Sequence, residues 1–247
     1  MTYLYTIASV LVISLISLIG AMTLFVKRQS MQKILLFLVA FSAGSLIGDA
    51  FIHLLPEALA ENKNELMLSI AILSGIMLFF LLEKVLRWRH CHESGCEDHP
   101  RHLGLMNLIG DGAHNYIDGL LIGASFSVSI PLGIATTIAV ILHEIPQELG
   151  DFGVLLHSGF SVKKALFFNL LTGLIAILGG LTALVMGERL GSFNAFMLPF
   201  TMGGFIYIAL SDLIPELHKD TSPVQTIFHI FGIIAGIGVM LLLLLLE

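Results

Sequence analysis

Two stretches of this chain set ionisable and amide side chains inside otherwise apolar sequence. Residues 107–126 read NLIGDGAHNYIDGLLIGASF, with His114, Asn115 and Asp118 in mid-stretch. On a helix, His114 and Asp118 lie four apart on one face and Asn115 is one step round, so nitrogen and oxygen donors point toward one cavity. Residues 141–159 read ILHEIPQELGDFGVLLHSG, with His143, Glu144, Gln147, Glu148 and Asp151 within three turns. His143 and Gln147 share a face, as do Glu144 and Glu148. Pro146 has no amide proton, so the carbonyl of Leu142 loses its helical donor; the helix kinks there or leaves an acceptor on the cavity. The chemistry these types suit is cation binding. Three neighbouring carboxylates raise one another's cost unless a positive ion offsets them, and imidazole with carboxylate suits zinc, iron or manganese better than copper(I). Zinc leads, because such mixed ligands are its usual tetrahedral company; cadmium is a further candidate cargo. No organic cofactor and no nucleic-acid partner are expected.

The elements that must position these residues are membrane-spanning helices. Hydrophobic residues make up 56% of the chain and charged residues 12%, about half the charged share of a soluble domain. Residues 1–26, 165–187 and 224–246 carry no charge, and each run is near or above the roughly 20 residues a spanning helix needs. The first run lacks a basic flank and exceeds a signal core in length, so it is expected to be a retained helix. The hydropathy pattern predicts eight spans, near 3–26, 34–60, 66–87, 104–128, 131–157, 162–187, 193–215 and 224–246. They form one all-α integral membrane domain over 1–247. Short loops and the lack of an extracellular domain suggest a bacterial or archaeal inner membrane.

Basic residues orient the spans. Ten of the twelve Lys and Arg residues fall on one set of span ends, and only Lys63 and Arg189 on the other. The positive-inside rule therefore places both termini outside and the polar segment at about 88–103 in the cytoplasm. That segment carries His90, Cys91, His92, Cys96, His99 and His102. Its Cys/His density reads as metal binding by composition, and its irregular spacing predicts a flexible trap or sensor instead of a folded zinc finger.

The second span ends in HLLPEAL and the seventh in SDLIPEL. On antiparallel helices, a shared LxPE pattern is what an inverted repeat leaves behind; a Pro-Glu pair that simply ends a helix at the interface leaves the same trace. His53 and Glu57 near the outer end of the second span, and Asp212, Glu216 and His218 near the inner end of the seventh, are candidates for ion access and release. The competing reading is interfacial charge that caps helices. Asn169 on the sixth span offers a further oxygen or a packing contact. Gly110, Gly112, Gly119 and Gly123 give the fourth span a small-residue surface for close helix approach.

HNYID and HEIPQELGDF closely resemble the paired signature of the ZIP (ZRT/IRT-like) metal transporters, in the branch whose fifth helix reads HEIPHELGDF. The resemblance extends to GDAFIHLLPEAL and FIYIALSDLIPELH on the second and seventh spans. It implies eight helices in an inverted 3+2+3 arrangement, with a two-metal centre between helices four and five. One site would use His114, Asp118, His143 and Gln147. The other would use Asn115 and Glu144, with Asp118 bridging; Glu148 and Asp151 fall inside the motif. Gln147 departs from the branch, which has a second His there, and a neutral amide holds zinc less well. The resemblance also implies movement of ions toward the cytoplasm, with helices one, four, five and six moving against the other four.

Other functions meet obstacles in the same residues. A zinc hydrolase of the HExxH type needs His where Gln147 stands. An open pore needs ions to leave quickly, which several imidazole ligands oppose. A metal sensor that transports nothing has no need of charges on so many internal spans. Metal ions and the lipid bilayer are the expected partners, and the residues leave open whether the chain pairs into a homodimer.

Overall fold

The computed structural model describes residues 1–24, 28–61, 64–91, 100–189, 193–220 and 222–246; the side chains of 23–33, 85–91, 100–103, 106, 194 and 246 lie outside that description. Among the described residues every regular element is helical. Helix α1 (Thr2–Ile16) continues into a 3-10 turn, Ile19–Leu24. Helix α2 (Arg28–Gly48) runs through a π-helical turn, Asp49–Leu54, into α3 (Leu55–Glu61). Then come α4 (Glu65–Cys91), α5 (Pro100–Val128) and α6 (Ile130–His157). Helices α7 (Val162–Gly173) and α8 (Ile175–Arg189) are nearly continuous. Helix α9 (Phe193–Tyr207) leads through a second π-helical turn, Ile208–Leu213, into α10 (Ile214–Leu217), and α11 (Pro223–Leu243) follows.

Among the described residues, seven helical segments are long and apolar enough to cross a membrane: Thr2–Met22, Ile34–Glu61, Glu65–Lys84, Ile130–His157, Val162–Arg189, Ala195–Leu217 and Pro223–Leu243. Helix α5, at 29 residues, is long enough but is not one of the seven. Asp111, His114, Asn115 and Asp118 sit in its middle and lower its hydropathy. Helix α4 extends to Cys91 and α5 starts at Pro100, at the two ends of the polar segment expected at about 88–103. The candidate ligands His92, Cys96 and His99 lie outside the described residues, as do the side chains of His90, Cys91 and His102.

Polarity is arranged inside out. Helix α11 exposes Val224, Ile227, Phe231 and Ile234 and buries His229, Gly232 and Gly236. Thr6, Ser14, Ser42, Ser45 and Asp49 are likewise buried elsewhere. An apolar exterior over a partly polar interior fits lipid, where every polar group must find an internal partner.

The two LxPE motifs share local structure. Each π-helical turn ends two residues before its proline, Pro56 or Pro215. Proline withdraws one amide donor, and a π turn is one way a helix absorbs that loss. Close helix contacts recur in step. A Cβ on Gly44 would stand 2.1 Å from the Ile233 carbonyl oxygen, and one on Gly203 2.0 Å from that of Ile72. One on Gly236 would meet Phe41 O at 2.2 Å, and one on Gly75 would meet Phe200 O at 2.1 Å. A single sequence offset relates Phe41, Gly44 and Pro56 to Phe200, Gly203 and Pro215; a second relates Ile72 and Gly75 to Ile233 and Gly236. The contact of α2 with α11 is therefore repeated, residue for residue, by the contact of α9 with α4.

Candidate metal centre

Only Ser129 separates α5 from α6. Its side chain accepts from Leu132 N–H at 3.2 Å and caps α6, and Pro131 sits in the first turn. So tight a link folds the two helices back on each other. The two helices therefore run antiparallel: Asp118 reaches His143 near their middles, and Asn107, early in α5, reaches Asp151, late in α6, at 3.0 Å.

Four predicted residues converge. The Nε2 atoms of His114 and His143 are 3.3 Å apart. His143 Nε2 lies 3.1 Å from Asp118 Oδ2 and 3.7 Å from Glu144 Oε1. His114 Nε2 lies 3.6 Å from the first oxygen and 3.5 Å from the second. In a tetrahedron with zinc bonds near 2.0 Å, neighbouring ligand atoms stand about 3.3 Å apart. The observed spacings bracket that value. His143 Nδ1 sits 3.2 Å from the carbonyl oxygen of Ala139. A proton donated there leaves the Nε2 lone pair aimed at the cluster, the orientation that metal-ligating histidines adopt. Asp118 Oδ1 and Glu144 Oε1 are buried and accept no hydrogen bond from the described residues. Two imidazole nitrogens and two carboxylates gathered at these distances inside a membrane bundle could hold a cation between them.

The other candidates are placed differently. Asn115 is fully buried and donates to Asp111 Oδ1 at 2.8 Å, so its amide group serves a carboxylate. Gln147 is half-buried and lines the adjoining cavity. Glu148 and Asp151 stand apart from the histidines and gather with Asp111, a residue not singled out in the sequence. Asn169 donates to Glu148 Oε2 at 2.9 Å. The carbonyl of Leu142 has a partner: Ser42 of α2 donates its hydroxyl proton to it.

The cavity holds about 400 Å³, and His114, His143, Asp111, Gln147, Asp151, Glu83, Asp212 and Glu216 are among the residues that line it. Tyr207, also on its wall, donates to Glu83 Oε2 at 2.5 Å. Neither His53 nor Glu57 lines it. His53 is buried in the first π-helical turn with Nε2 2.9 Å from Met240 O, and Glu57 is half-buried on α3. His218 is exposed and also lies off the cavity wall. Sequence reasoning missed Asp111, Glu83 and Ser42. An ionisable group in mid-span one turn before His114 was the available signal for Asp111.

The family model described as ZIP Zinc transporter matches residues 2–104 and 89–244. The chain belongs to the ZIP zinc transporter family. It is 34% identical to zinc transporter zipt-7.1 of Caenorhabditis briggsae, over 85% of this chain and 71% of that protein. It is 31% identical to zinc transporter SLC39A7 of Rattus norvegicus, over 87% and 66%, and 36% identical to zinc transporter ZIP13 of Pongo abelii, over 83% and 65%. The chain thus spans about two thirds of the length of the relatives it matches. As a ZIP chain it is a membrane protein. These relatives are animal proteins and lend no support to a bacterial or archaeal membrane.

Proposed function

We propose that this ZIP chain carries divalent metal ions, zinc foremost, across the bilayer toward the cytoplasm, and that His114, Asp118, His143 and Glu144 hold the ion in transit. The observation that carries this is the convergence of two Nε2 atoms and two carboxylate oxygens at the spacing of a zinc tetrahedron. Two of the four, His114 and His143, line a cavity, which agrees with it. Asn115 and Gln147 stand beside these ligands and tune them, one through Asp111 and one from the cavity wall.

Eight spans cross the membrane in an inverted 3+2+3 arrangement, with α5 as the span that its own ligands make polar. The matched glycine contacts of α2 with α11 and of α9 with α4 support the repeat. Those four helices form the scaffold, and α1, α5, α6 and the α7–α8 pair form the body that moves. Both termini lie outside. The cavity then opens to the cytoplasm between Glu83, Asp212 and Glu216, so Asp212 and Glu216 serve ion release. The packed outer half holds His53 away from any path in this state.

Zinc uptake into proteoliposomes with a trapped zinc indicator tests the function. Saturable uptake is expected from the wild type and none from His143→Ala or Asp118→Ala, with manganese, iron(II) and cadmium as competitors that rank the ions. Uptake that persists in both variants would remove these residues from the path.

A further inference from the structure

One helical turn from the four-ligand group, toward the cavity mouth, a second group of potential ligands has no histidine. Asp111 precedes His114 on α5, and Glu148 and Asp151 follow Glu144 on α6. Because the two helices run in opposite directions, all three are displaced toward the same end. Each offers a carboxylate oxygen within 4.8 Å of the others.

These carboxylates are individually held. Asn115 Nδ2 donates to Asp111 Oδ1 at 2.8 Å, Asn169 Nδ2 to Glu148 Oε2 at 2.9 Å, and Asn107 Nδ2 to Asp151 Oδ1 at 3.0 Å. Three asparagines thus orient three carboxylates, one oxygen each, as outer-shell donors orient metal ligands. The opposite oxygens are left over. Asp111 Oδ2 and Glu148 Oε1 are buried, on residues 4% and 1% exposed, and neither makes a hydrogen bond of good geometry with the described residues, although Thr172 and Gln147 stand close to Asp111 and Ser17 close to Glu148. Plain packing offers little reason to gather three acids and leave one oxygen on two of them without a hydrogen bond, since unpaired buried acceptors cost free energy. Asp111 and Asp151 line the same cavity as His114 and His143.

We propose that Asp111, Glu148 and Asp151 form a second cation site, an all-oxygen station for a divalent ion between the histidine site and the cavity mouth. Oxygen ligands without imidazole favour harder ions and hold zinc less tightly than the inner group. An ion would therefore step from a tighter site to a looser one on its way out. The role as a waystation rests on the transport reading, whereas the binding site itself does not.

Cadmium-113 NMR of the full chain in detergent micelles, at saturating cadmium, tests it together with equilibrium dialysis. Two bound cadmium ions are expected, one resonance in the upfield range of oxygen-only ligation and one downfield from nitrogen ligation. Glu148→Gln with Asp151→Asn should remove the upfield resonance and one equivalent of cadmium and leave the other resonance in place. His143→Ala should do the reverse. A single nitrogen-ligated ion in the wild type would overturn the second site and leave the proposed function standing. An upfield resonance that survives the double variant would overturn it as well. Oxygen-only binding with no nitrogen-ligated ion would sink the transport site and keep this one. The wild-type spectrum decides the matter even where a variant fails to fold.

Discussion

Ser42 on α2 donates its hydroxyl proton to the carbonyl oxygen of Leu142 on α6, the acceptor that Pro146 leaves without its helical donor. The same hydroxyl lies 2.7 Å from its own helix's Leu38 carbonyl. One turn of α6 between His143 and Gln147 therefore depends on a side chain from the proposed scaffold. The bond spans the boundary along which the two bodies would move.

This pairing predicts a coupling. Ser42→Ala should destabilise the chain by about 1 to 3 kcal/mol, the cost of a buried acceptor left unpaired. Pro146→Ala restores the amide donor to Leu142, and in that background Ser42→Ala should cost markedly less. A double-mutant cycle by denaturant unfolding in micelles measures the difference, expected at roughly 1 kcal/mol. Additive single effects would show that the two residues act independently.

The freed carbonyl of Leu142 was legible in the sequence, because proline lacks its amide proton in any fold, although α6 runs unbroken through Pro146. The group that meets the freed carbonyl was not, since Ser42 lies a hundred residues away and its type alone reads as ordinary helix glue. The same division holds at the candidate metal centre. His114, Asp118, His143 and Glu144 declare themselves by the cost of ionisable groups in apolar spans. The split of Glu148 and Asp151 into a separate group with Asp111 depends on how tightly Ser129 folds α5 onto α6. Loop length hints at such a fold, but only packing fixes its register. The LxPE repeat was faint as sequence and became specific once glycine contacts at matched positions could be compared.

Gln147 stands on the cavity wall beside the four ligands. Gln147→His would add an imidazole there, a stronger zinc ligand than a neutral amide. Zinc affinity in chelator competition should rise by about tenfold or more, in the range by which changes around a site's ligands alter metal binding. Zinc uptake at saturating zinc should fall, since a tighter site releases its ion more slowly. Faster uptake with unchanged affinity would show that Gln147 takes no part in holding the ion.

The matched helix contacts predict matched sensitivity. Gly44→Ala and Gly203→Ala each drive a methyl group into a backbone carbonyl, at 2.1 and 2.0 Å, and neither carbonyl can withdraw without moving its helix. Each should cost about 1 to 3 kcal/mol by overpacking. Gly238→Ala on α11, where a Cβ meets nothing within 4 Å, should be near neutral and serves as the control. Thermal unfolding of the three variants in the same detergent provides the comparison. A well-tolerated Gly203→Ala beside a damaging Gly44→Ala would break the equivalence of the two halves.

Orientation is open to direct labelling. Glu61 at the end of α3 is exposed, and Asp220 after α10 is half-buried at the opposite end of the bundle. In a background with Cys91→Ser and Cys96→Ser, Glu61→Cys should react with a membrane-impermeant maleimide on intact cells. Asp220→Cys should react only after permeabilisation. The excess of Lys and Arg on the Asp220 side is what fixes this expectation. The reverse labelling would invert the chain in the membrane: the cavity between Glu83, Asp212 and Glu216 would then open outside, and the direction assigned to ion movement would turn with it.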